Sequence, residues 1–141
     1  MVMIRRTFIA ACTTAAVAMA AGSAVAAPKE VKLGYALAIN SHYGAAAKAW
    51  SESVEKGTNG AFAVKQFPSS ALGGERELIE GLQLGTVEAA IVSTGALSNF
   101  VGDVGIVDIP FLFRDTAHAR AVLDGKFGQD LLGKFKQRGL V

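Results

Sequence analysis

Cysteine is almost missing from this sequence. Cys12 is the only one in 141 residues, and it lies in the opening segment. Everything after it can close no internal disulfide and offers no thiolate pair to a metal. Histidine is nearly as scarce, with only His42 and His118. No His-Glu-x-x-His helix and no calcium loop is present, so no metal or other cofactor is expected. The Gly-x-Ser-x-Gly elbow is missing, which removes the main sign of a Ser-His-Asp hydrolase. Leu72-Gly73-Gly74 lacks the Gly-Lys-Ser/Thr ending of a phosphate-cradling loop and reads as a permissive turn into a helix. An excess of charge is missing as well. The chain carries 14 basic and 12 acidic residues, and Arg5 and Arg6 account for two of the basic ones, leaving 12 against 12 beyond them. Such a balance offers no electrostatic footprint for nucleic acid or an anionic membrane surface.

The opening segment has three parts: a basic start at Arg5-Arg6, an Ala-rich apolar run to Ala21, and the small-residue stretch Ser23-Ala24-Val25-Ala26-Ala27. The run is too short to span a bilayer, which takes ~20 residues. Together the parts read as a cleaved secretory signal over 1–27, so no membrane insertion is expected after cleavage. Arg5-Arg6-Thr7-Phe8-Ile9 partly matches a twin-arginine signal, and both the general and the twin-arginine routes to the periplasm stay open. The apolar stretch before Cys12 is very short for a lipoprotein box, so Cys12 reads as a small apolar residue of the signal.

Residues 28–141 suffice for one domain with a core. Lys32–Ala36 reads as a first strand. Ser41 or Asn40 can cap a helix from His42 to Lys56, whose residues Tyr43, Ala46 or Ala47, Trp50 and Val54 form one apolar stripe. Ala61–Phe67 is a second strand, stopped by Pro68. A second helix runs from Glu75 to about Leu84. Its buried face is Leu78, Ile79 and Leu82, and Gly85 stands at its left-handed cap. Glu75 and Glu77 favour its N-terminal dipole, and Arg76 reads as an ion-pairing neighbour of Glu75, Glu77 and Glu80. Glu88–Thr94 is apolar at consecutive positions, as a strand covered on both faces would be. Asp115-Thr116 caps a helix from Ala117 to Leu123, and another runs from Phe127 to Gln137. Gly139-Leu140-Val141 looks like the start of a further strand. Ahead of these helices, Ile106–Asp115 packs large apolar residues around Pro110, either as core filling or as an extended segment crossing under a site.

The order β-α-β-α-β with short connections predicts an α/β fold: a parallel, doubly wound sheet with helices on both faces. Ligands bind beyond the carboxyl ends of such strands. That rule selects Ala38–Tyr43, Pro68–Gly74 and Ser93–Asn99, all rich in small or polar groups. His42 stands where it could donate to a bound carboxylate, or could simply be solvated. Tyr43 lies on the apolar stripe but near enough to the strand end to touch a ligand. His118, mid-helix and far along the chain, reads as a surface residue.

Three stretches together resemble the DctP-type solute-binding proteins of TRAP (tripartite ATP-independent periplasmic) transporters. They are Leu33-Gly34-Tyr35-Ala36 through Ala49-Trp50, the long run from Gln66 to Thr86 that includes Pro68-Ser69-Ser70-Ala71-Leu72-Gly73-Gly74-Glu75-Arg76, and Asp108-Ile109-Pro110-Phe111-Leu112-Phe113-Arg114-Asp115. The resemblance implies two α/β lobes with the ligand between them, capture of a small organic acid, delivery to integral membrane subunits, and no catalysis. It puts the first lobe's ligand edges at Ala36, Ser41, His42, Tyr43, Ser93 and Thr94. Some relatives carry Asn and Glu where this chain has Ala36 and Ser93, so a sialic-acid-like specificity is not implied. The arginine that pairs with the ligand carboxylate belongs to the second lobe, and Arg114, Arg120 and Arg138 do not match it. Residues 28–141 are therefore expected to be an incomplete, truncated first lobe. An extracytoplasmic sensing domain for a signalling partner is the alternative role for the same lobe.

Overall fold

The computed structural model describes residues 27–140. The expected export segment, Cys12 included, falls outside the described residues apart from Ala27, and so does Val141. Strand β1 (Lys29–Tyr35) is central, flanked by β2 (Phe62–Phe67) and β3 (Ala89–Ile91), all parallel. The register runs from Lys29 opposite Phe62 to Gly34 opposite Phe67, and from Leu33 opposite Ala89 to Tyr35 opposite Ile91. Helix α1 (His42–Gly57) joins β1 to β2, and α2 (Glu75–Leu84) joins β2 to β3. The first connection steps to one side of β1 and the second steps back across it. Right-handed crossovers then place the two helices on opposite faces, as expected.

Side-chain alternation along β1 shows the same division. Leu33 and Tyr35 are buried with Ala47 of α1. Gly34 between them points the other way, where Leu78 of α2 lies so close that a Cβ on Gly34 would sit 2.4 Å from Leu78 Cδ2. Leu78 and Ile79 are fully buried, and the fully buried Tyr35 satisfies its hydroxyl by donating to Gln66 Oε1 at 2.9 Å.

The helix ends follow the sequence. Ser41 caps α1, its Oγ accepting from Gly44 N at 3.3 Å. Gly85 closes α2 at φ 72°. Asp115 caps α4 (Thr116–Leu123) through His118 N at 2.7 Å, and α5 (Lys126–Lys136) follows.

Several expectations need correction. The buried line of α1 is Gly44, Ala47 and Ser51, and Trp50 is 42% exposed. The helix is rotated so that its small residues meet the sheet, and Ser51 tolerates burial by donating to Ala47 O at 2.7 Å. The third strand is only Ala89–Ile91 and partly exposed, because Ser93 instead caps a short helix α3 (Thr94–Leu97). A 3-10 helix, Gly102–Asp108, follows; neither was foreseen. Ile106–Asp115 is not core filling: Ile106, Ile109 and Leu112 are exposed and Phe111 is fully so. His118 is half-buried rather than free on the surface; its Nδ1 accepts from Arg114 N at 3.3 Å and its ring meets Phe113 edge-on. Gly139 and Leu140 are not in a strand. Leu140 is buried, and the backbone beside it is tied to α2 by Gln83 Nε2 donating to Arg138 O at 2.9 Å.

Candidate ligand-binding site

In a parallel sheet of order β2-β1-β3 the chain leaves the carboxyl ends of the two neighbours β1 and β3 toward opposite faces. A crevice opens between the two departing segments, and this is where such folds hold ligands. Ser41, His42 and Tyr43 follow β1 and start α1; Ser93 and Thr94 follow β3 and start α3. All five expected site residues therefore lie at the same end of the sheet.

The loop after β2 braces this end. Ser69 N donates to Leu37 O at 2.8 Å and Ser70 N donates to Tyr35 O at 3.2 Å. Both serines hold left-handed backbone, φ 55° and 57°. For a non-glycine residue that conformation costs on the order of 1–2 kcal/mol, so these hydrogen bonds hold a strained turn in place. Gly73, at φ 106°, completes the approach to α2 and bears out its reading as a permissive turn.

The residue that joins the segments is Glu75, the first of α2. Its Oε1 accepts from Ser93 N at 2.8 Å and its Oε2 accepts from Ser93 Oγ at 2.6 Å. Burial first, then the charge of Glu75 and hydrogen bonding to it, push the Tyr43 pKa above the ordinary phenol value. Ser93 Oγ also accepts from Ala96 N at 3.3 Å, fixing the start of α3. Thr94 is tied differently, its hydroxyl donating to Asp108 of the 3-10 helix. His42 is exposed, its ring edge-on to Tyr43 at 4.8 Å.

Glu75 and Asp108 were missed as members of this rim. Glu75 was read only from its place in a helix first turn; Arg76 is the ion-pairing residue expected, and its partner is Glu80 at 3.0 Å. The signal was present, since Glu75 directly follows the loop at the carboxyl end of β2. Asp108 left none, because the 3-10 helix that carries it was not legible.

A hollow of about 220 Å³ adjoins the start of α1, lined in part by Asn40, Ser41, Lys48 and Gln66. A larger one of about 590 Å³, between the 3-10 helix and α5, shares none of the five expected residues. Among the described residues no cluster could hold a metal ion, and no helix is long and apolar enough to cross a membrane. The hydroxyls of Ser93 and Thr94 are bound to carboxylates rather than to an imidazole, an arrangement that orders the surface they share.

An open parallel lobe with polar loops gathered at one end of its strands belongs to the class of α/β ligand-binding lobes. The sequence model of the DctP family, bacterial extracellular solute-binding protein family 7, matches residues 33–141, and the chain belongs to that family. A solute-binding protein of Verminephrobacter eiseniae is 48% identical over 114 residues, covering 81% of this chain and 34% of its own length. A TRAP periplasmic solute-binding protein from Polaromonas sp. JS666, bound to D-erythronate, is 54% identical with a TM-score of 0.75, covering 79% of this chain and 37% of its own. Another, from Bordetella bronchiseptica with density interpreted as pantoate, is 59% identical with a TM-score of 0.76 over the same shares. The chain thus spans roughly a third of the length of these relatives.

Proposed function

We propose that this chain is the first-lobe portion of the periplasmic solute-binding component of a TRAP transporter, which captures a small organic acid and delivers it to integral membrane subunits without catalysing a reaction. Residues 1–27 act as the export signal, by the general or the twin-arginine route, and residues 28–141 form the lobe. One observation carries the reading: the polar loops after β1 and β3 converge at the switch point of the sheet, braced by the loop after β2. Ser41, His42, Tyr43, Ser93 and Thr94 form the edge that meets the guest. The relatives' ligands fit a carboxylate guest. D-Erythronate is bound to the Polaromonas protein, and the Escherichia coli relative, 33% identical, is named for binding 2,3-diketo-L-gulonate.

In this reading a second lobe supplies the cation that pairs with the guest carboxylate, and closing it over the rim buries the guest. The exposed Ile106, Ile109 and Phe111 give the rest of such a protein an apolar surface to pack on. Residues 28–141 alone should therefore bind D-erythronate or succinate only weakly, with Kd on the order of millimolar, because half the contacts and the exclusion of water are missing. Calorimetry at high protein concentration checks this. Micromolar binding would contradict the need for a second lobe, and no saturable heat with any organic acid would contradict the capture role.

A further inference from the structure

Glu75 stands apart from the other acidic residues of α2. Arg76 and Glu80 pair with each other on the helix surface, Arg76 well exposed and Glu80 partly so. Glu75 is half-buried and turned toward the sheet end, with both carboxylate oxygens engaged by one residue of another segment. A carboxylate has about four acceptor sites on its two oxygens. Ser93 N and Ser93 Oγ use two, and the charge of the same group raises the Tyr43 pKa. Hydrogen bonds to an ionised acceptor are about twice as strong as neutral ones.

The connectivity adds to the case. Tyr43 belongs to the segment after β1, Glu75 to the segment after β2 and Ser93 to the segment after β3. Glu75 therefore hydrogen-bonds the loop after β3 from the start of α2, and its charge reaches Tyr43 of the segment after β1. Side chains that meet a ligand bind best when their own positions are already fixed, because the entropy of ordering them is not lost on binding. Ser93 has its amide and its hydroxyl proton committed to Glu75, so it presents its remaining surface in one orientation.

We propose that Glu75 is a positioning residue for the guest: it clamps Ser93 and Tyr43 into one arrangement, and the guest meets a rim already set by that clamp. This rests on the reading that the rim binds an organic acid. Among the described residues, the titratable groups that act on or touch Tyr43 are Glu75 and, from its own helix, His42.

The test uses the full chain and Glu75→Gln, which keeps the shape of the side chain but removes its charge and turns one acceptor into a donor. The chain has two tyrosines, and ¹³Cζ labelling follows both through an alkaline titration. The Tyr35 pKa is raised by burial alone, whereas the Tyr43 pKa is raised by burial and by Glu75. In E75Q, Tyr43 should ionise at lower pH than in the unmodified chain, and Tyr35 should not move. General loosening of the fold would lower both, and a residue without contact would lower neither; either result overturns the clamp. The second arm measures D-erythronate affinity by NMR titration in the same two chains, with Glu80→Gln as the control. E75Q should bind about tenfold more weakly, the size of one lost charge-assisted hydrogen bond, and E80Q should bind unchanged. Unaltered affinity in E75Q beside a shifted Tyr43 would leave the clamp and overturn its role toward the guest. Should the unmodified chain bind no organic acid at all, the capture reading itself fails, while the two tyrosines still decide whether the clamp exists.

Discussion

Gly44→Ala should lower the midpoint of thermal unfolding by roughly 10 °C or more. The first turn of α1 runs so close beneath the preceding loop that a Cβ on Gly44 would sit 1.8 Å from the Ile39 carbonyl oxygen and 2.5 Å from its carbon. The obstacle is backbone, so no side-chain rotation relieves it. Overpacking in a well-filled site costs about 1–3 kcal/mol, and a backbone obstacle puts Gly44 at the upper end. For a domain of somewhat more than 100 residues each kcal/mol moves the midpoint by about 4 °C. The same turn carries Ser41, His42 and Tyr43, and Gly44 N donates to Ser41 Oγ. Displacing it should therefore disturb the rim along with the fold. Gly57, also in α1, has nothing within 4 Å of an added Cβ. Gly57→Ala should leave the midpoint nearly unchanged, and circular dichroism melts of the two variants provide the comparison.

Leu78→Ala should destabilise the chain by about 2–5 kcal/mol, the range for deleting a fully buried leucine. Leu78 is 0% exposed and presses on β1 at Gly34. The reverse change, Gly34→Ala, drives a methyl to 2.4 Å from Leu78 Cδ2 and should cost about 1–3 kcal/mol by itself. The two changes share one space, so the double variant should be less destabilised than the sum, by at least about 0.5 kcal/mol. Urea titrations of the four chains measure this. Strict additivity would mean that α2 does not pack on this face of β1.

How much of this was legible depends on how local the signal is. Helix α2 was placed from Glu75 to Leu84 and its cap at Gly85 because a proline stop, a glycine pair, acidic first-turn residues and a left-handed glycine all fall in order. The parallel arrangement followed from alternating elements with short connections, and strands β1 and β2 fell within a few residues of their expected positions. The rotation of α1 was not legible. Trp50 and Ser51 differ by one residue, and hydrophobicity favoured Trp50, but the sheet admits only the small faces of Gly44, Ala47 and Ser51. The apolar run around Pro110 read as core because apolarity alone does not reveal whether a partner is at hand; in this lobe Phe111 stands in solvent at φ 61°. Of the candidate rim, the strand-end rule and the family resemblance together selected Ser41, His42, Tyr43, Ser93 and Thr94. They did not find that Glu75 and Asp108 already hold two of their hydroxyls, because those pairings join residues 18 and 14 positions apart.

The claim that the tips of β1 and β3 form one edge for a small acid is tested most directly by mapping backbone amide shifts of the chain under rising D-erythronate. Saturable shifts should concentrate at Ser41–Tyr43 and Ser93–Thr94. Shifts that saturate instead around Phe127 and Leu131, in the hollow beside α5, would contradict it.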